Sequence, residues 1–278
     1  MTQKRWKIGA SSAGNELTEE LFENYAKHEI RVMEISPVYD MRGLEVMDRV
    51  IASINPKEIR EYAAKHGIEI WSLHLPYSHD CVNPASFDKL FRDRCIERDK
   101  IMLNKASEIG AKIAVFHTSA EPIADCDRTE SIKYAKDSIF KINEEAKKAG
   151  VILAAEVLPR TYLGRDSKEL LDIISVDDTI RVNFDVNHLL KQSHKDFVSE
   201  VGKKIVTVHI SDYDFIDERH WIPGTGKIDW KELISLLKAI DYEGPFMNEV
   251  PIKGKGNDCT VTFDELKNAN EELLDKYF

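Results

Sequence analysis

A chain of 278 residues is long enough to bury a core without disulfide or metal staples. Its 42% hydrophobic and 32% charged residues are the balance of an ordinary globular protein, and its formal charge of −10 argues against nucleic acid as a partner, since phosphate contacts need a basic face. No apolar run reaches the length of a membrane span and the first residues lack the apolar core of a secretion signal, so a cytoplasmic location is expected and a membrane partner is not.

The first predicted strand covers residues 6–10 and is followed by a helix over 17–30, with Leu17, Leu21, Phe22, Tyr25 and Ala26 at helical spacing. A strand over 32–35 comes next. Pro56 opens a helix that Gly67 stops. The third strand runs over 68–74, and a loop with Pro76 and Pro84 leads to a helix over 87–109. Strand four is expected at 112–117, a helix at 130–149, strand five at 151–156 and a helix at 167–174. Strand six follows at 180–185, a weak helix at 195–201 and strand seven at 205–210. After a turn-rich segment, Asp229 stands as N-cap of a helix reaching 238. Strand eight is expected at 244–249 and a last helix at 263–277.

Strict alternation of near-continuous apolar strands with amphipathic helices implies a parallel sheet covered by helices. Eight such units imply an α/β protein built as a single (β/α)8 TIM barrel, one domain over residues 1–278. An open doubly wound sheet is the runner-up, but no G-x-G-x-x-G follows strand one, where the chain reads Gly9-Ala-Ser-Ser-Ala-Gly14. The four cysteines, Cys81, Cys95, Cys126 and Cys259, form no C-x-x-C pair. They are expected to be reduced packing residues rather than zinc ligands.

In such a barrel the C-terminal ends of the strands face the catalytic mouth. The polar residues ending the predicted strands are Ser11 or Ser12, Glu34, His74, His117, Glu156, Asp185, His209 and Glu249. A lone histidine such as His117 is as readily a satisfied buried residue. Four acids and histidines on strands five to eight point instead to one divalent cation. Mostly oxygen donors favour Mn²⁺ or Mg²⁺, and a single imidazole leaves Co²⁺ and Zn²⁺ open. His188 and Arg219 lie in loops that can offer positive or hydrogen-bonding groups to a substrate. His74, His117, Glu34 and Trp221 are expected to face it, with Trp71, Tyr77 and Trp221 as candidate apolar walls.

Three motifs carry a resemblance: Asp185-x-x-His188, His209-Ile-Ser-Asp212, and Arg219-His-Trp-Ile-Pro-Gly-Thr-Gly-Lys-Ile-Asp229. With the topology of the whole chain, they resemble the xylose-isomerase-like barrels, a family of sugar and sugar-phosphate isomerases and epimerases with endonuclease IV as a relative. In its ketose 3-epimerases the metal ligands match Glu156, Asp185, His209 and Glu249, and the two glutamates also act as acid and base. The histidine matching His188 and an arginine matching Arg219 hold substrate oxygens, although loop lengths around Arg219 do not align cleanly. The resemblance implies a metal-dependent isomerase or epimerase that moves a proton beside a ketose carbonyl through an enediolate. It leaves open a homo-oligomer, dimer or tetramer.

The same resemblance carries other readings. A dehydratase of a cyclic polyol or keto-acid would use the same metal and enolate. A subunit of a C-glycoside-cleaving enzyme would need a partner chain, and a metal-stabilised binding module would need no acid and base. An endonuclease IV-like nuclease with three zinc ions would use His74, His117, Glu156, Asp185, His188, His209, Glu218, His220 and Glu249. Against it stand the acidic balance and Glu218, where that relative usually has an aspartate. His220 is therefore placed outside the metal's immediate ligands. Specificity is expected in Tyr39-Asp40, Tyr77-Ser78-His79 and residues 81–86. Gly254-Lys-Gly256 reads as a turn rather than a phosphate loop, which favours an unphosphorylated sugar.

Overall fold

The apolar runs become strands that are buried along most of their length. In the computed structural model, which describes residues 4–38, 44–77, 82–252 and 261–278, β2 (Val32–Ile35) and β4 (Ile113–Phe116) are buried at every position. That pattern belongs to parallel strands covered by helices. Around them in chain order lie β1 (Ile8–Ser11), α1 (Glu19–Lys27), β2, α2 (Leu44–Ser53), α3 (Pro56–His66), β3 (Glu69–His74), α4 (Lys89–Ile109), β4, α5 (Arg128–Ala149), β5 (Ile152–Glu156) and α6 (Ser167–Ile174). There follow β6 (Arg181–Asp185), α7 (His194–Val201), β7 (Ile205–His209), α8 (Trp230–Ala239), β8 (Phe246–Asn248) and α9 (Phe263–Tyr277).

Local chemistry sets several helix ends. The Asn55 side chain accepts from the Lys57 amide, Pro56 occupies the first turn, and Gly67 ends α3 at φ 64, a left-handed turn that glycine adopts without strain. The Asp229 side chain accepts from the Glu232 amide at the start of α8. Helix α2 has no counterpart in the expected elements. Met47 and Ile51 bury one of its faces, but no capping side chain stands directly before Leu44 to mark its start.

The strands pair in parallel in the order β7-β6-β5-β4-β3-β2-β1-β8. The remaining seam, between β7 and β8, is joined just past the strand ends by a parallel bridge between Ile210 and Asn248. There the Ile210 amide donates to the Met247 carbonyl (2.7 Å) and the Glu249 amide to the Ile210 carbonyl (3.0 Å). The result is the (β/α)8 TIM barrel, with its strand ends converging on one mouth.

Two register shifts matter for that mouth. Between β6 and β7, Val182 pairs with Ile205 but Asn183 with Thr207, so Val206 is passed over and Asp185 comes to lie opposite His209. Between β2 and β3 a shift at Met33/Glu34 puts Glu34 opposite Ser72. Since side chains alternate along a strand, each one-residue slip decides which face a polar group joins. His117 and Glu249 follow the last paired residues of β4 and β8, so they begin the loops rather than end the strands as expected.

Two expectations are corrected outside the mouth. Trp71 does not wall the site. It lines a cavity of about 1060 Å³ at the opposite end of the barrel with Trp6, Lys7, Lys112 and Pro245, and the Lys112 ammonium lies over its ring. Of the cysteines, Cys95 is buried as expected, but Cys126 is exposed; Cys81 and Cys259 lie outside the described residues, as do Tyr39-Asp40, Ser78-His79 and Gly254-Lys-Gly256.

Candidate metal centre

Glu156, Asp185 and His209 close β5, β6 and β7, and Glu249 follows β8. Their donor atoms all lie within 4.8 Å of one another. His209 Nδ1 is 3.4 Å from Glu156 Oε1, 3.7 Å from Asp185 Oδ2 and 3.2 Å from Glu249 Oε2. Its Nε2 points the other way, 3.1 Å from Glu34 Oε2, which also accepts from the Ser72 hydroxyl (2.7 Å). A ring that donates through Nε2 keeps the Nδ1 lone pair for the centre. Glu34, expected to face substrate, is thus fully buried behind His209 and orients it.

The residues fit a cation on an observation independent of their type. His209 Nδ1 and Asp185 Oδ2 are buried with no hydrogen-bond partner, a costly state for polar atoms unless an ion satisfies them. The electrostatics agree. Burial opposes the charged form of Glu156 and Glu249, yet the neighbouring His209 and, at Glu156, His117 hold both well below the usual carboxylate range. Burial pushes the Asp185 carboxyl up, against the pull of His188. The His209 ring is raised well above its usual value, the charges of Glu34, Glu249 and Glu156 overcoming burial. Three acids around one imidazole call for positive charge at their centre, by proton or by metal ion.

A second set of groups surrounds Glu156. Its Oε2 is 3.3 Å from both His74 Nε2 and His117 Nε2, while His188 Nδ1 lies 3.2 Å from its Oε1. His74 Nδ1 donates to the Leu75 carbonyl (2.8 Å) and His188 Nδ1 to the Val157 carbonyl (3.0 Å). His74 and His117 therefore meet the glutamate directly. The Tyr77 ring packs on both, with centroids 4.7 and 4.9 Å away. His188 Nε2 faces Asp185 Oδ2 and Glu218 Oε2, each at 3.5 Å. Those acids and Glu156 outweigh burial and push His188 up to about 10.

Two expected substrate contacts stand apart from this cluster. The Arg219 guanidinium is exposed and its Nε is 3.3 Å from Asp214 Oδ2. Trp221 is 38% exposed, and its backbone pairs with that of Asp212. The Pro223-Gly224-Thr225-Gly226 motif is structural. Asp212 Oδ2 accepts from the Gly224 amide (2.9 Å) and Trp230 Nε1 (3.0 Å), and Oδ1 accepts from the Ile228 amide (3.2 Å). A Cβ on Gly226 would fall on the Asp212 carboxylate. This hub turns the loop after β7 back over the mouth, where His220 Nδ1 donates to the Glu249 carbonyl (2.9 Å).

Three residues of the site had no sequence signal. Ser72 reads as an ordinary strand hydroxyl. Arg160 and Glu121 are single charged residues in loops after β5 and β4, yet they pair between those neighbouring loops.

A family model described as xylose isomerase-like TIM barrel matches residues 22–274. An uncharacterized protein of Methanocaldococcus jannaschii is 27% identical over 236 residues, 80% of each chain. The D-psicose 3-epimerase of Enterocloster bolteae is 21% identical over 272 residues, 93% of this chain and 88% of its own. Among solved structures, a D-tagatose 3-epimerase-like protein superposes with a TM-score of 0.78 over 98% of this chain and 96% of its own, at 24% identity.

Proposed function

Because the chain belongs to the xylose isomerase-like TIM barrel family, we propose that it is a divalent-metal-dependent sugar isomerase or epimerase acting on an unphosphorylated ketose. The observation that carries this reading is the buried, partly unsatisfied donor set of Glu156, Asp185, His209 and Glu249. The D-psicose 3-epimerase relative supports the substrate class.

These four side chains would hold the ion, with Mn²⁺ first by donor type. When bound it supplies Lewis acidity, which polarises a ketose carbonyl and the hydroxyl beside it and so favours an enediolate. The protein's own groups move the proton. With one of Glu156 and Glu249 ionised and the other carrying a proton, the ionised one accepts a proton from carbon. The protonated partner delivering its own proton to the opposite face gives epimerisation, and delivery of a proton to the neighbouring carbon gives aldose–ketose isomerisation. Positioned groups of this kind contribute about 10²–10⁴-fold each. His74 and His117 fix the Glu156 carboxylate. Glu249, 16% exposed against 1% for Glu156, exchanges its proton with solvent between turnovers. His188 sits at the rim to meet substrate oxygens, and Tyr77 helps keep water from the enediolate.

The test is proton exchange in D₂O across a panel of free ketoses with Mn²⁺. Glu156→Gln and Glu249→Gln should each abolish deuterium uptake at the carbon next to the carbonyl while part of the metal binding remains. Uptake retained in both variants would sink the two-base reading.

A second reading rests on two further donor groups, His74–His117–Glu156 and His188–Glu218–His220. They could extend the centre to three ions, as in a zinc hydrolase. Three zinc ions per chain with incision of abasic DNA would favour it, and one ion without incision would not.

A further inference from the structure

Arg160 is the hub of a clasp at the barrel mouth. It stands in the loop after β5 at φ 45, a left-handed backbone that non-glycine residues seldom adopt. Its Nε and Nη2 donate to Glu121 Oε1 in the loop after β4 (2.9 and 2.6 Å). Nη1 donates to Asp217 Oδ1 in the loop after β7 (2.9 Å). Nη1 also lies 3.2 Å from Glu218 Oε2, and Nη2 lies 3.4 Å from Glu218 Oε1. One guanidinium therefore ties three loops and faces both oxygens of Glu218.

Glu218 is the carboxylate of the His188–Glu218–His220 group, whose donor atoms lie within 4.8 Å of one another. Two imidazoles and a carboxylate are a ligand set for Zn²⁺ with an open position. His220 is also pre-aimed. It sits at φ 50, and its Nδ1 is used on the Glu249 carbonyl, which leaves the Nε2 lone pair. By donor type alone this group would take an ion.

We infer that Arg160 keeps a metal ion out of the His188–Glu218–His220 group by holding Glu218 in a permanent ion pair. The inference deepens the one-ion reading given above and rests on it. A guanidinium does not lose its charge at any working pH. An incoming dication would have to share Glu218 with that charge at close range, and the two repel. Nor can Arg160 swing aside, because Glu121 and Asp217 hold its remaining donors. Arg160 is on this view a positioning residue that sets the metal number of the mouth.

The experiment is metal content. Wild type, Arg160→Gln, Arg160→Lys, His220→Ala and the double variant Arg160→Gln/His220→Ala are loaded with excess Zn²⁺, desalted and measured for zinc per chain. Circular dichroism reports folding. Arg160→Gln should gain one equivalent over wild type, and the double variant should lose that gain. Arg160→Lys, which keeps the charge, should match wild type, and so should His220→Ala alone. The inference is overturned if folded Arg160→Gln holds no more zinc than wild type. It is equally overturned if His220→Ala alone loses an equivalent, since the group would then already be filled. Should Arg160→Gln not fold, Arg160→Asn removes the same charge with a residue that tolerates the left-handed backbone, and carries the same expected gain. The one-ion reading is tested separately by loss of the wild-type ion in Asp185→Asn. The Arg160 result is a difference between variants and stays readable whichever way that falls.

Discussion

His209 can give one nitrogen to a cation because Glu34 takes the other, and Ser72 in turn holds Glu34. Such outer partners fix the ring's tautomer and raise its basicity, and their loss typically costs about 10–100-fold in metal affinity. Glu34→Gln is therefore expected to weaken Mn²⁺ or Zn²⁺ binding by a factor in that range, measured by competition with a chelator, with the fold intact. An unchanged affinity would mean that Glu34 does not orient the ligand. The four donors at the centre were legible as acids and a histidine closing apolar runs. Glu34 was legible as a polar residue at the same end, but its contact was not. Whether it meets a ligand or a substrate depends on the partner across the barrel, which no local pattern encodes. Arg160 was invisible for a related reason, since its partners come from two other loops.

Elements explain what residue types alone do not. Strict alternation made the barrel readable, and the apolar runs made the strands readable to within a residue or two. The register shifts were not readable, because Val206 looks like any other residue of an apolar run. Without that shift, with Val206 paired in its turn, Asp185 would lie opposite Val208 rather than His209. Helix α2 escaped for want of a start signal. Helix α7 carries a pH-sensitive joint. His194 is buried there, with Nε2 donating to the Val186 carbonyl (2.8 Å), and burial holds its pKa below the usual histidine value despite that bond. The unfolded chain, with a histidine pKa of about 6.5, then binds more protons than the fold as pH drops. The stability gained is complete above about pH 6.5 and is lost as pH falls toward the folded value. The urea midpoint should therefore decline on acidification from pH about 7 to 5, and the decline should be smaller in His194→Gln. Equal declines in the two proteins would remove His194 from the account.

The whole molecule is a ring of eight strands whose last junction is made differently from the others. Seven neighbouring pairs form ladders, whereas β7 and β8 meet at the Ile210–Asn248 bridge. His209 and Glu249 flank that bridge, one on each side of the junction. An ion held by both would act as a rivet across the gap, so part of its binding free energy would appear as resistance to opening of the ring. A ligand at a hundred times its dissociation constant adds about 2.7 kcal/mol of stability, and here the gain should be felt locally before it is felt globally. In hydrogen–deuterium exchange, the amides of Ile210 and Glu249 should slow on metal addition. Those in β4 and β5, on the far side of the ring, should keep their rates until the whole barrel opens.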